Sequence, residues 1–427
     1  MALGVYLESL GCKLNQCEID NLAEQFTRAG YVIVSRPEDA DLCVVNTCAV
    51  TQTATRKSRH LFRSLHRANP RARLVATGCS TGLQENGLRA DLVVTNDRKQ
   101  DLVSAVESAR QGWGLCAEGS DAQGRTAAAL LPRRRTRPFV KIQDGCDNAC
   151  TYCIVRVLRG PHRSTPRHEI LTQIANLVRL GYQEVVLTGV HVGAYGRDIG
   201  DDLIGLVRAI LQGSALPRLR LSSIEPWDLA VPEFFELWED PRLCRHLHLP
   251  LQSGCDETLA RMNRHYTAAQ FAELVREARA AIPGLAVTTD VIVGFPGETD
   301  GEFERSAAFI KQMAFARAHV FPYSERPGTP AATMPGSVDP TVRRARARQV
   351  GTIARLASRA FREQFLGCVL PVLWETRTKD GRWSGLTDHY VRVFVESDED
   401  LSNSLCLTRL DAPDPNGLHG TLIEART

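Results

Sequence analysis

Along the first part of the chain, short apolar runs alternate with longer stretches whose apolar positions recur at helical spacing. The runs Val5–Ser9, Tyr31–Val34, Leu42–Asn46, Leu74–Thr77 and Asp91–Val94 predict strands. Glu18–Ala29 and Thr53–His66 predict helices between them. That alternation predicts an open, mostly parallel α/β sheet domain over residues 1–112. A shift follows. Cys116 to Leu131 is rich in Ala, Gly and Ser and leads into the basic run Arg133–Arg137, so 113–137 is expected to be a linker. The alternation resumes at Phe139–Gln143, Glu184–Thr188, Arg218–Ser222, His246–Leu249, Ala286–Val293 and Ala318–Phe321. Six strands with intervening helices predict a partial (β/α)6 barrel over 138–365, closed by a long Arg-rich helix at Pro340–Phe365. The runs Val369–Glu375, Arg382–Leu386, Tyr390–Glu396 and Ser404–Leu410 predict a small all-β barrel over 366–427. The fold class is therefore α/β with a C-terminal β-barrel.

The chain has 427 residues, 43% of them hydrophobic and 24% charged, enough for several cores. A net charge of +3 permits a nucleic-acid partner without demanding one. The N-terminus lacks the basic and apolar regions of a signal peptide, and no apolar run reaches membrane-span length. A cytoplasmic, non-membrane protein is expected. In a reducing compartment its 13 cysteines read as metal ligands or buried apolar groups rather than disulfides.

Two cysteine constellations stand out. Cys146, Cys150 and Cys153 form CxxxCxxC directly after a predicted strand. Three thiolates on one short loop can hold three irons of a 4Fe–4S cluster and leave the fourth open to a substrate. A structural zinc loop completed by His162 is the competing reading. Cys12, Cys48 and Cys79 each follow a predicted parallel strand in a turn-like GC, NTC or TGC context. Topology gathers such positions at one sheet edge, which points to a second cluster. The competing reading is that cysteines are common buried residues, and it suits Cys43 inside a strand.

CxxxCxxC after the first strand of a βα barrel resembles the radical-SAM superfamily. TGVH at Thr188–His191, SSIEP at Ser222–Pro226, HLPLQSG at His248–Gly254 and DVIVGFPGET at Asp290–Thr299 agree with it in order. The resemblance implies an open iron that chelates S-adenosylmethionine, with Thr188, Gly189, Ser222, Glu225, Gln252, Asp290 and Gly294 as cofactor-binding positions. LGCKLNQCEIDNL, VVNTCAVT, ATGC, HVFPYSERPGTPAA and RWSGLTDHYVRV extend the resemblance over essentially the whole chain, to the methylthiotransferases. In that family an auxiliary 4Fe–4S cluster sits on three N-terminal cysteines, and a C-terminal TRAM barrel binds RNA.

The resemblance implies two 4Fe–4S clusters and S-adenosylmethionine as cofactors. As partners it implies the anticodon stem-loop of tRNA, an electron donor such as flavodoxin or ferredoxin, and a sulfur donor, all served by a monomer. GCK and HVFPYSERPGTPA look most like the branch acting on N6-threonylcarbamoyladenosine. The isopentenyladenosine branch, the branch modifying a ribosomal-protein aspartate, and a non-enzymatic RNA-binding protein with structural metal remain open. Arg382, Trp383, His389 and Tyr390 in the last domain offer the mixture of charge and aromatic surface that suits unstacked bases. Tyr390 is equally suited to the small core. Two positions depart from the family pattern: Arg156, where relatives carry Pro, and Cys17, which is expected to be inert. The chemistry is coherent. An unactivated aromatic C–H bond gives a side-chain base nothing to work on, and a radical cofactor supplies what the protein then positions.

Overall fold

The computed structural model describes residues 2–83, 87–115, 135–229, 231 and 233–423. They fall into two compact units. The first joins residues 1–134 to Gly145–His162 and Ser324–Ala332; the second holds the remainder.

In the first unit, strands β1 (Gly4–Ser9), β2 (Val32–Val34), β3 (Leu42–Thr47), β4 (Arg73–Gly78) and β5 (Leu92–Val93) form a parallel sheet of order 2-1-3-4-5. Helices α1 (Lys13–Arg28) and α3 (Leu102–Arg110) pack on one face, where Val5, Val44 and Val75 meet Leu22, Phe26 and Val106. Helix α2 (Gln52–Ala68) covers the other, where Cys43, Val45 and Ala76 meet Phe62 and Leu65. Successive residues of β3 thus serve opposite cores, as the two-residue period of a strand requires. Trp113 and Leu115 also pack on the first core, so this domain's packing runs past residue 112. Most of the expected linker, 116–134, lies outside the described residues. A short helix, α4 (Val155–Arg159), belongs to this unit through Ile154 and Leu158, which pack against Ala49 and Cys79.

In the second unit, β6 (Phe139–Lys141) pairs with β9 (Glu184–Thr188), and β9 with β10 (Arg218–Leu221), all parallel. Between them in sequence, β7 (Gln143–Asp144) and β8 (Arg163–Ser164) make a small antiparallel pair. Strands β11 (His246–His248), β12 (Ala286–Val293) and β13 (Arg317–Pro322) form a second parallel trio. Single bridges at Leu219–Leu243 and Ser223–His248 join the trios into one run of six. Helices α5 (Arg167–Arg179), α6 (Leu203–Gly213), α7 (Glu233–Glu236), α8 (Asp256–Arg261), α9 (Ala268–Ala281) and α10 (Asp300–Met313) connect them. Capping boxes at Thr267 and Thr299 start α9 and α10. Helix α11 (Pro340–Glu363) leads to a closed barrel, β14 (Val369–Arg377), β15 (Trp383–Thr387), β16 (Arg392–Val395), β17 (Leu405–Asp414) and β18 (Gly417–Leu422), in the order 14-15-16-18-17. The sequence pattern misses β18, whose glycines blunt its apolar alternation.

Glu184 fastens this barrel to the βα sheet. It is fully buried at the start of β9 and accepts from Arg220 Nε at 2.6 Å, with Arg137 Nη1 at 3.6 Å and Arg218 Nη1 at 3.8 Å. The arginines reach across to the β-barrel. Arg220 donates to the carbonyls of Asp388 (3.0 Å) and Thr387 (3.3 Å), and Arg218 to those of Leu386 (3.1 Å) and Pro371. Arg137 Nε donates to Glu375 at 2.8 Å. Burial alone would raise the Glu184 carboxyl, but Arg220, Arg137 and Arg218 outweigh it and hold it at about 2. Because that value lies below the unfolded one, the stabilisation is present above pH ~4 and is lost as pH falls toward 2. Glu184→Gln leaves three buried guanidinium groups without their shared carboxylate. We expect a loss of about 3–5 kcal/mol in urea unfolding at pH 7 and a much smaller loss at pH 3 or below.

Candidate functional site

Ser9 of β1 lies in register with Asn46 of β3, and Asn46 with Thr77 of β4. Cys12, Cys48 and Cys79 follow within three residues of these positions, so all three emerge at one sheet edge. Cys12 and Cys48 flank the point where the strand order reverses, between β1 and β3, the usual ligand crevice of such sheets. Gly11 makes the approach possible. Its φ is +107°, and a Cβ there would lie 2.7 Å from both Cβ and Sγ of Cys48. Cys12 is the N-cap of α1; desolvation there outweighs the charge of Arg159 and raises its thiol. Cys48 and Cys79 are buried while Cys12 is exposed, which leaves the site open on one side. Burial pushes the Cys48 thiol up to about 11, so the proton must leave when a metal binds.

Beneath the thiols lies a buried ionic network that sequence reasoning missed. Glu18 accepts from Lys99 Nζ at 2.5 Å and from Arg159 Nη1 at 2.9 Å. Arg159 Nη2 donates to Asn15 Oδ1 at 2.6 Å, and Asn46 Nδ2 donates to Glu18 Oε2 at 3.1 Å. Asn15 Nδ2 in turn donates to the carbonyls of Leu10 and Thr47, tying the Cys12 and Cys48 loops together. Two cations against one carboxylate leave a positive balance beside three sulfurs. Cys17, one turn into α1, is buried and its sequence expectation as an inert thiol concerns a position in the middle of this packing.

Cys146, Cys150 and Cys153 occupy an irregular loop and are half-buried. Cys146 N–H donates to Gly160 O, and Cys153 N–H to Cys150 O, both at 3.1 Å. Gly145, at φ +70°, passes so close to the Pro161 carbonyl that no side chain fits. Among the described residues no three His, Cys, Asp or Glu side chains converge as ligands of one ion.

The expected cofactor positions lie at the C-terminal ends of the second unit's strands. Thr188 ends β9, and Gly189 abuts the Gln143 side chain, whose Oε1 accepts from His191 N–H at 2.8 Å. Ser222 follows β10, and its buried Oγ has no hydrogen-bond partner, an opening for a polar ligand. Glu225 accepts from Arg264 Nη1 at 3.2 Å. Gln252 adopts φ +65° beside β12. Asp290 is gripped by His319 Nδ1 at 3.1 Å and His248 Nε2 at 3.4 Å. Burial would raise its carboxyl, but these imidazoles outweigh burial and hold it well below the usual carboxylate range. Gly294 N–H is already taken by Glu298 Oε2 at 2.6 Å, so this amide is not offered to a cofactor.

The expected RNA-stacking residues are placed differently. Trp383 is 4% exposed, lies in the β-barrel core and donates to Glu399 O, so it presents no face to a base. His389 is 3% exposed and packs on Phe365. Tyr390 stacks on His246 at 4.5 Å and lies under Arg220. Arg382 is paired with Asp380 and Asp414. His389 and Tyr390 do border an open groove. It has a volume of about 1110 Å³ and runs between α11 and the barrel. Ala347, Gly351, Ala354 and Ser358 of α11 leave it room, and Arg355, Arg359 and Arg362 line it. The Nε of Arg362 is buried there without a hydrogen-bond partner.

Comparison with known proteins gives matches along most of the chain. Residues 140–310 match the Radical SAM superfamily, and residues 4–97 match the family described as uncharacterized protein family UPF0004. A threonylcarbamoyladenosine tRNA methylthiotransferase MtaB from Thermotoga maritima is 37% identical over 91% of this chain and 90% of its own. The protein of that name from Bacillus subtilis is 36% identical over 95% and 93%. A tRNA-2-methylthio-N(6)-dimethylallyladenosine synthase from Desulfitobacterium hafniense is 33% identical over 92% of each chain. Among solved structures, the radical S-adenosylmethionine methyltransferase TsrM from Kitasatospora setae superposes with a TM-score of 0.56 at 16% identity. It covers 78% of this chain and 77% of that one, a likeness of fold alone.

Glu18→Gln removes the carboxylate shared by Lys99 and Arg159. Removing one member of such a buried cluster should destabilise the first unit by about 3–5 kcal/mol. Hydrogen exchange should show the loss at the amides of β1, β3 and α1, and leave those of the C-terminal barrel unchanged.

Proposed function

Because the chain belongs to the radical-SAM methylthiotransferase family, we propose that it methylthiolates carbon 2 of N6-threonylcarbamoyladenosine beside the anticodon of tRNA. The observation that carries this reading is the similarity to the MtaB proteins over nine-tenths or more of both chains. A 4Fe–4S cluster with S-adenosylmethionine, when bound, supplies the one-electron chemistry that an unactivated aromatic C–H bond requires.

Cys146, Cys150 and Cys153 would hold that cluster. Cys12, Cys48 and Cys79 would hold a second one, where the sulfur to be transferred is carried. The in-register strand ends and the cationic network beneath the thiols support this second assignment. Thr188, Gly189, Ser222, Glu225 and Gln252 would line the cofactor site, with the unpartnered Ser222 hydroxyl as a hydrogen-bonding group. Asp290 acts at one remove: its carboxylate is committed to His248 and His319, whose rings it orients. Arg355, Arg359 and Arg362 would track the phosphates of the RNA along the groove beside α11. Electrons would come from a flavodoxin- or ferredoxin-type donor, and sulfur from a separate donor. The reaction belongs in the cytoplasm with its tRNA substrate, carried out by a monomer. No helix among the described residues is long and apolar enough to cross a membrane.

Nucleoside mass spectrometry of total tRNA tests the reaction. Deletion of the gene should abolish 2-methylthio-N6-threonylcarbamoyladenosine, and complementation should restore it. Loss of the methylthio-isopentenyl nucleoside instead would move the chain to the dimethylallyladenosine branch. Replacing Cys146, Cys150 or Cys153 by Ala should stop cleavage of S-adenosylmethionine. Replacing Cys12, Cys48 or Cys79 should stop product formation while cleavage persists, with about half the iron lost. The groove is tested separately. Arg355→Ala combined with Arg359→Ala should weaken tRNA binding and lower the salt dependence of log K by about one unit per lost phosphate contact. An unchanged slope would place the RNA elsewhere.

A further inference from the structure

Arg326 lies in the segment Ser324–Ala332, which packs within the first unit although it follows the last strand of the βα barrel in sequence. Its side chain is 4% exposed. Nη2 donates to Thr55 Oγ1 at 3.3 Å, and Nε is buried with no hydrogen-bond partner. Among the described residues no carboxylate lies within ion-pair distance of it, whereas Lys99 and Arg159 share Glu18. Thr55 lies three residues before Ser58 on α2, and the Ser58 hydroxyl donates to the Cys48 carbonyl at 3.2 Å, so the guanidinium sits against the helix that holds the Cys48 loop. A buried guanidinium with neutral partners alone is costly, by several kcal/mol, and the arrangement is explained if an anion completes it.

Two further contacts tie the segment of Arg326 to the cysteine loops. Gln52 N–H, four residues past Cys48, donates to Ser324 Oγ at 3.1 Å. Ala331 N–H donates to Thr151 O at 2.9 Å, and Thr151 lies between Cys150 and Cys153. The segment bearing Arg326 is therefore hydrogen-bonded to the stretches that carry both sets of cysteines. Thr329 fixes its local turn, donating to the Arg326 carbonyl from N–H and, at 2.7 Å, from Oγ1.

We propose that Arg326 is the receptor for a sulfur anion, hydrosulfide or an alkylthiolate, bound at the Cys12, Cys48 and Cys79 site. This rests on the reading that these three cysteines hold an iron–sulfur cluster with one iron open. The guanidinium is suited to the task. It stays charged in a dry site, is weakly hydrated, and presents N–H donors in a fixed fork. It acts as a positioning residue that retains and aims the sulfur, and the cysteines alone hold the iron.

The test uses the full-length chain with Cys146, Cys150 and Cys153 all replaced by Ala, reconstituted anaerobically, so that any cluster is the auxiliary one. Sodium hydrosulfide and sodium methanethiolate are titrated into the dithionite-reduced protein and followed by electron paramagnetic resonance, with iron measured on the same samples. With Arg326 present, each thiolate should shift the cluster signal saturably at about four irons per chain. Arg326→Gln should bind at least about tenfold more weakly with iron unchanged, as expected for loss of a charge-assisted hydrogen bond. Arg326→Lys, which keeps the charge, should fall between the two. Equal affinity in Arg326→Gln overturns the proposal. So does loss of iron from both variants, which would make Arg326 a residue that holds the cluster. If the parent takes up no iron, the cluster reading itself fails, a result distinguishable from failure of the arginine's role.

Discussion

A parallel sheet delivers every strand end to the same edge, and the first unit depends on that constraint. Ser9, Asn46 and Thr77 stand side by side, so three cysteines far apart in sequence need only short loops to meet. The price of gathering them is a concentration of sulfur at the end of a packed core. Glu18, Lys99, Arg159 and Asn15 answer it from below, binding the loops to one another and leaving positive charge where metal-bound thiolates would bring negative charge. Remove the register and neither the cysteines nor the cations have a common place to converge.

The second unit applies the same solution to a different problem. Glu184 sits at the start of a strand, away from the edge where the expected cofactor positions lie, and gathers three arginines: Arg218 and Arg220 extend to backbone carbonyls of the C-terminal barrel, and Arg137 to the Glu375 carboxylate. Backbone acceptors carry the Arg218 and Arg220 contacts, while Glu375 and Tyr390 add side-chain partners from the barrel. The barrel is thereby held by its own β14 strand and its β15–β16 turn, and residues of that turn also face the groove beside α11.

Much of the fold was legible in the sequence because strands and helices impose different periods on apolar residues. Glu184–Thr188 and Ala286–Val293 end where the pattern does. That Cys12, Cys48 and Cys79 leave one sheet edge was legible because their turn contexts fixed their place relative to strands. The supporting cations were not. Lys99 meets Glu18 across 81 residues and Arg159 meets it across 141, and no local pattern marks such pairs. Trp383 was misjudged because inside and outside alternate along a short strand, and the residue type alone does not say which face is which. Tyr390, equally suited to the core by its residue type, is half-buried and stacks on His246. Arg326 stood in a recognised motif, yet only tertiary placement shows that its charge lacks a partner.

The first unit is assembled from three separated stretches of chain. On the ribosome, its sheet emerges early, but Arg159 arrives after the first barrel strand and the 324–332 segment after the last. The Cys12, Cys48 and Cys79 loops therefore wait, half-supported, until nearly the whole βα barrel has been made. Any metal taken up at this edge would find its full support only once most of the chain has been made.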